Sequence, residues 1–189
     1  MSAYPVTYHQ TPSVQRNRLT VFFRFVMVLP HLVWSVFYGL AAAVGVVAAW
    51  FATVATGRYP EALYELVAGY VRFNTRLMAY TYLVTDEFPP FDGREHAGYP
   101  VRAGVPRPQA SYNRLTTALR GVLLLPVLVV LWLATLWLNV VAIVLWFVAV
   151  LTGRTSTQLG DLAELPLAYL MRAYAYAYLL TDEWPPLEA

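Results

Sequence analysis

The chain has 189 residues, of which 59% are hydrophobic and 13% are charged, and its formal net charge is +2. Soluble domains carry about 25% charged residues, so this composition is typical of a membrane protein. The small net charge speaks against a nucleic-acid partner, and the absence of cysteine excludes disulfides and thiolate chemistry.

The first segment, MSAYPVTYHQTPSVQRNRLT, is polar and contains two prolines. It lacks the apolar core and the small-residue cleavage site of a signal peptide, so we expect it to be retained and cytoplasmic. It leads into a basic stretch formed by Arg16, Arg18 and Arg24.

A long apolar run follows, from residue 25 to residue 57, without acidic or basic residues. A membrane-spanning helix needs about 20 apolar residues, so the run is long enough to span. Because proline breaks a helix interior, Pro30 predicts a short amphipathic helix before it and a spanning helix over 31–55. Gly57 then falls where a left-handed helix cap is expected.

The third element, EALYELVAGYVRFNTRLMAYTYLV, is long enough to span but carries charge. At helical spacing Glu65, Arg72 and Arg76 form one narrow stripe, away from most of the large apolar side chains. This pattern fits either a spanning helix whose stripe faces a partner or an amphipathic helix in the membrane interface.

The same plan then repeats at an offset of 96 residues, after a polar linker rich in Gly and Pro. From residue 17 to residue 90, 30 of 74 positions are identical to the second copy without a gap. The second apolar run covers 121–153, with a predicted spanning helix over 127–151. The sequence predicts two units, 1–92 and 93–189, and the fold class is all-α. Each unit contributes two helices, giving about four membrane-embedded helices in parallel repeats.

Arginine placement favours four spanning helices with both termini in the cytoplasm. In that topology eight arginines share the side of the N-terminal segment and linker, and only Arg58 and Arg154 lie on the other side. Two alternatives remain open. One inverts the copies, which would send matching motifs to opposite compartments. The other folds each apolar run into a re-entrant hairpin beside interfacial helices.

Each copy closes on a Thr-Asp-Glu-aromatic-Pro-Pro motif, containing Asp86 and Glu87 in the first copy and Asp182 and Glu183 in the second. We interpret it as a helix stop, because the residue before a proline avoids helical geometry. Carboxylates at a helix C-terminus oppose the helix dipole and need cationic partners. The expected partners are the lead-in arginines, with Arg24 and Arg120 among them.

Four further arginines are candidate lipid or partner contacts. Arg58 and Arg154 follow the helix-capping glycines, where a guanidinium could bind a lipid phosphate or serve as an interfacial anchor. Arg76 and Arg172 match across the copies inside the third element, where an ionisable group is a functional hypothesis. The acidic residues eleven positions earlier are about 16 Å away along a helix, so these arginines need other partners.

Together the motifs resemble the bacterial membrane family known as domain of unknown function 4389. The first copy matches closely, with Pro30-His31, Thr56-Gly57-Arg58-Tyr59-Pro60 and the run from Thr85 to Phe91. The second copy departs from this pattern at Val127, Thr155-Ser156 and Leu187. The resemblance implies an integral protein of the bacterial inner membrane and implies no activity.

The sequence contains no catalytic, cofactor-binding or metal-binding constellation, so we expect a non-enzymatic protein without cofactors. The leading hypothesis is an accessory or scaffold subunit, or a homo-oligomer, that acts by helix packing within the lipid bilayer. Its partners would be lipids and another membrane protein or a second copy. The alternative is a small transporter or a lipid-handling protein, because repeats are common in transporters.

Overall fold

The computed structural model describes residues 4–187. The helices are α1 (Arg18–Phe22), α2 (Arg24–Thr56), α3 (Glu61–Thr81), α4 (Arg114–Ala118), α5 (Arg120–Thr152), α6 (Thr157–Asp161) and α7 (Glu164–Ala177). The strands are β1 (Thr7–Gln10) and β2 (Val101–Gly104), and they form an antiparallel pair. The molecule is therefore mostly helical, as predicted, with one short ribbon.

Each copy begins with a short helix that is separated from the long helix by one residue. Asn17 and Asn113 cap the short helices, and each side chain accepts hydrogen bonds from two backbone amides of the first turn. The break falls at Phe23 and its counterpart Leu119, not at the prolines.

The predicted start of the long helices at residues 31 and 127 is wrong. Pro30 and Pro126 lie inside 33-residue helices that begin at Arg24 and Arg120. Both prolines are exposed, so their rings find room and only local backbone hydrogen bonds are lost. Because each long element is one continuous helix, the re-entrant hairpin is also excluded for α2 and α5.

The two long helices run in opposite directions. The amide of Arg16, ahead of α2, donates to the carbonyl of Gly153 at the end of α5 at 3.0 Å. The amide of Tyr112, ahead of α5, donates to the carbonyl of Gly57 at the end of α2 at 2.9 Å. A 33-residue helix is about 50 Å long, so each helix can begin beside the other's end only if the pair is antiparallel. In the predicted topology the two long helices span in the same direction, and that expectation is therefore wrong.

The third element of each copy is buried inside the protein. In α3 the side chains of Phe73, Leu77 and Tyr80 pack on Val28 of α2. In the second copy the element is split into α6 and α7, and α7 has 14 residues, about 21 Å, which is too short to span. Two helices, α2 and α5, are long and apolar enough to cross a membrane, so the predicted number of four is corrected to two.

The strands come from equivalent parts of the two copies. The sequence Tyr-Pro-Val precedes β1 at residues 4–6 and leads into β2 at residues 99–101. The ribbon packs with β2 on α3 and with β1 on α7. The described part of the chain thus forms three layers: the long helices, then α3 and α7, then the ribbon with the lead-in and linker.

Candidate functional site

Asp86 binds two buried arginines at the point where α3 ends and α2 begins. Its Oδ1 accepts from Arg16 at 2.8 Å and from Arg24 at 2.5 Å. Its Oδ2 accepts from the amide of Asn17 at 3.3 Å, and the Arg24 guanidinium stacks 3.9 Å above the Tyr80 ring. The predicted pairing between the acidic motif and the lead-in arginines is confirmed in the first copy.

The second copy repeats this centre with one arginine fewer. Asp182 Oδ1 accepts from Arg120 at 2.6 Å, and its Oδ2 accepts from the amide of Asn113 at 2.9 Å. Arg120 lies 3.9 Å from the centroid of the Tyr176 ring. Tyr112 stands where the first copy has Arg16. The predicted pairing is confirmed here as well, and we call the two sites the arginine–aspartate centres.

The residues just before the aspartates set the backbone conformation at the end of each helix. Leu83 and Leu179 have φ values of 61° and 64°. The amide of the residue after each leucine donates to the carbonyl of Ala79 or Ala175, which closes a six-residue helix cap. The Thr85 hydroxyl then accepts from the Glu87 amide at 3.1 Å. Glu87 and Glu183 are exposed, so the aspartate and the glutamate of each motif have different roles. The aspartates fasten the helix ends and the glutamates face outward.

Arg16 also connects the two copies. Its Nε donates to the Thr155 hydroxyl of the second copy at 2.9 Å, and one of its terminal nitrogens donates to the Leu83 carbonyl at 2.7 Å. Burial lowers the pKa of this guanidinium, and the charge of Asp86 acts against that shift. The first centre therefore joins the start of α2, the end of α3 and the end of α5.

Arg58 and Arg154 are exposed beside the ends of the long helices. The glycines before them are left-handed helix caps, as predicted, with φ of 74° at Gly57 and 73° at Gly153. A side chain on either glycine would meet an arginine of the other copy, Arg114 at Gly57 and Arg18 at Gly153. The two TGR segments are therefore places where the copies meet.

Arg76 and Arg172 occupy matching positions on α3 and α7 and have different partners. Arg76 donates to the carbonyl of Arg94 at 2.6 Å and to the carbonyl of Asp92, and it lies 3.7 Å from the Asp92 carboxylate. The Arg172 guanidinium lies 5.7 Å from the centroid of the Tyr4 ring. The expected carbonyl and carboxylate partners of Arg76 are found, but they come from the linker rather than from a neighbouring helix.

Both long helices expose apolar side chains along one face. Among the large exposed apolar side chains of α2 are Phe25, Leu29, Val36, Leu40 and Phe51, and α5 exposes a matching series from Val122 to Leu151. Only 17% of the most apolar window of each helix is buried, whereas a core helix would be mostly buried. We call these two faces the apolar stripes. They could contact a membrane.

A basic cleft is the feature that sequence reasoning missed. Arg72 and Arg76 of α3, Arg94 of the linker and Arg102 of β2 line a cavity of about 500 Å³. These residues lie up to 30 positions apart in the sequence, and both strands of the ribbon contribute lining residues. The strand pairing was not predicted, so the sequence offered no signal for this cluster.

Within residues 4–187 no group of three or more His, Asp or Glu side chains is arranged to hold a metal ion. What the fold and its sites define is a tandem-repeat helical protein. Two arginine–aspartate centres fasten its helices, and two long apolar helices cover one face.

The chain belongs to the family described as Domain of unknown function (DUF4389), whose model matches it twice, at residues 18–92 and 114–188. The two matches confirm the resemblance and the tandem duplication. Comparison with curated proteins gave no match, and comparison with solved structures gave none either.

Proposed function

We propose that the protein is a non-enzymatic membrane protein whose two long helices lie along one leaflet, and that it serves as an accessory or scaffold subunit. The observation that carries the proposal is the position of the apolar stripes. They lie on the layer formed by α2 and α5, on the side away from α3, α7 and the polar ribbon. Two uncharged apolar stripes of this length are suited to contact with lipid acyl chains.

The length of the stripes supports strong membrane association. Twelve large apolar side chains of α2 and thirteen of α5 are exposed. Burying one fully exposed side chain of this kind is worth roughly 1.5–3 kcal/mol, and about half of that is left to gain at each of these partly exposed positions. No Asp, Glu, Lys or Arg lies in 25–57 or 121–153. Insertion of both faces into lipid is therefore favourable over the full length of each helix.

The position of the linker supports helices that lie in the membrane plane rather than across it. Gly93 packs against Gly69 of α3 and the Tyr38 hydroxyl of α2, and Asp92 and Arg94 flank it. Tyr38 is 14 residues into α2, about 21 Å from its start. If α2 crossed the bilayer, this charged segment would lie near the middle of the hydrocarbon, where each charge costs about 2.5–3.5 kcal/mol or more.

An in-plane orientation also keeps the two copies equivalent. Antiparallel helices that spanned the bilayer would send Arg58 and Arg154 to opposite compartments. Antiparallel helices that lie flat are related by an axis along the membrane normal, so matching motifs face the same leaflet. The exposed arginines at the helix ends then lie at headgroup level, where guanidinium groups meet lipid phosphates.

The same orientation supports a scaffold over a transporter. Helices embedded in one leaflet provide no path across the bilayer, and the aspartates of the arginine–aspartate centres already pair with arginines of the chain. A partner membrane protein or a second copy would pack beside the stripes or on the polar ribbon. The bacterial inner membrane, with the polar layers in the cytoplasm, is the location this proposal implies.

The test uses single cysteines in the full-length protein, because the native chain has none. Arg58→Cys, Arg154→Cys and the linker control Arg107→Cys are treated with a membrane-impermeant maleimide in right-side-out and inverted vesicles. All three should react from the same side, and Leu40→Cys should react from neither. Reaction of Arg58→Cys and Arg154→Cys from opposite sides would show spanning helices. Release of the protein by alkaline carbonate without detergent would contradict membrane embedding altogether.

A further inference from the structure

We propose that the basic cleft binds a small phosphate-bearing anion, a function that goes beyond the proposed membrane scaffold. The cleft lies between α3, the linker and the ribbon. Its volume of about 500 Å³ is within the usual range for small-molecule sites, about 300–1,000 Å³.

The cleft concentrates positive charge. Arg72, Arg76, Arg94 and Arg102 line it, together with His9 and His96, whereas Glu95 is the sole acidic residue among the lining residues that the structure describes. The lining therefore carries more positive charge than the net +2 of the whole chain. A concave site with charges of one sign attracts counter-ions more strongly than a flat surface does.

Arg76 binds the linker segment that lines the cleft. It donates to the carbonyls of Asp92 and Arg94 and pairs with the Asp92 carboxylate at 3.7 Å, so both of its terminal nitrogens are used by the protein. This fixes the linker turn that carries Arg94 and Glu95 beside α3. Arg76 is thus a positioning residue, and the ligand would be bound by the other arginines.

Arg72 provides donor capacity. It lies one turn before Arg76 on the same face of α3, and its side chain is only 13% exposed. Its Nε has no hydrogen-bond acceptor within residues 4–187; the nearest carboxylate oxygen, on Glu95, is 3.6 Å away. The Glu95 side chain is 71% exposed, so it can turn outward and leave Arg72 to an incoming anion.

The ribbon supplies further lining residues. His9 and Arg102 are directly paired across the strands, so their side chains share one face, and both are exposed. The other face, with Tyr8, Val101 and Ala103, is buried. Arginines contributed by α3, the linker and the ribbon favour a ligand with several equivalent oxygens, and guanidinium groups match phosphate oxygens in bidentate geometry.

The cleft belongs to the first copy only. In the second copy Ala168 replaces Arg72, although Arg172 keeps the place of Arg76. The arginine at the position of Arg76 is thus present in both copies, whereas the arginine at the position of Arg72 is present in one. This is expected if Arg72 binds a ligand and is not needed for the fold.

The experiment measures binding by isothermal titration calorimetry with full-length protein in a nonionic detergent. The probes are inorganic pyrophosphate and the water-soluble lipid dihexanoyl phosphatidate, with dihexanoyl phosphatidylcholine as the zwitterionic control. We expect saturable binding of at least one phosphate probe. Tighter binding of phosphatidate than of pyrophosphate would identify a lipid headgroup as the ligand, and the reverse order would identify a soluble phosphate.

Variants separate a specific site from general attraction. Arg72→Gln and Arg102→Gln should each weaken binding at least about tenfold, since each removes a charge-assisted hydrogen bond. Arg107→Gln, an exposed linker arginine outside the cleft, should change it less than about twofold. Glu95→Gln should tighten binding, because it removes the competing carboxylate. Arg102 lies on an exposed ribbon face, so its variant keeps the test valid if Arg72→Gln does not fold.

Two outcomes overturn the proposal: no saturable binding of either phosphate probe, or equal weakening by Arg107→Gln and the cleft variants. Neither outcome bears on the membrane orientation of α2 and α5, because binding is measured in detergent and accessibility is measured in vesicles.

Discussion

At the scale of single residues, the two aspartates of the repeated motif are unequal. Asp86 neutralises two buried arginines, whereas Asp182 pairs with Arg120 alone. Removing one partner of a buried ion pair is costly because the remaining charge stays in a poorly solvated place. The aspartates therefore fasten the helix ends, and the first one carries more of this role.

We expect Asp86→Asn to lower the free energy of unfolding by about 3–5 kcal/mol, because Arg16 and Arg24 would lose their counter-ion. Asp182→Asn should cost less, since one arginine is affected. The measurement is the thermal unfolding midpoint of purified protein in detergent. Glu87→Gln, at the exposed carboxylate next in sequence, should stay within about 0.5 kcal/mol of the native protein. Equal losses for Asp86→Asn and Glu87→Gln would mean that the ion pairs add nothing specific.

At the scale of elements, the ends of the long helices depend on glycine. Gly57 and Gly153 combine a left-handed conformation with a close approach by an arginine of the other copy. The prolines, by contrast, lie on the exposed face of helices that continue past them. A helix cap is a local property of its residue, whereas the effect of a proline depends on what surrounds its ring.

Gly57→Ala should destabilise the protein by about 1 kcal/mol or more, since an alanine in the left-handed region is strained. The matched control is Gly121→Ala, in the first turn of α5, where an added methyl group meets open space. That substitution should be neutral or stabilising by up to about 1 kcal/mol, because alanine is the better helix former. Unfolding midpoints of the two variants should therefore shift in opposite directions, and a shared direction would contradict this account of Gly57.

At the scale of the whole molecule, the copies exchange their lead-in segments. Residues ahead of α2 bond to the end of α5, and residues ahead of α5 bond to the end of α2. The short helices follow the same rule, with α1 on α5 and α4 on α2. Each copy thus completes the other, and neither arginine of the TGR segments lies near the start of its own long helix.

A cross-link tests this antiparallel arrangement. Gln15 and Arg154 form an isolated antiparallel β-bridge, a geometry with Cα atoms about 4.5–5.5 Å apart, within disulfide range. Oxidation of Gln15→Cys/Arg154→Cys in membranes should give an internal disulfide, seen as a mobility shift that reductant reverses. The control pair Gln15→Cys/Arg58→Cys should give none, because α2 separates its members by most of its length. The opposite result would mean that the two long helices run in the same direction.

The sequence alone determined the duplication, the two long apolar helices, the glycine caps and the pairing of a carboxylate of each closing motif with lead-in arginines; the structure showed that the carboxylates are those of Asp86 and Asp182. These features depend on local spacing and on charges that recur at a fixed offset. Only the tertiary structure decided that the long helices are antiparallel, that α3 and α7 are buried and that Arg72, Arg94 and Arg102 share a cleft. A repeat looks the same in sequence whichever way its copies face. Their orientation follows from which helix faces find partners, and contacts between distant segments decide that.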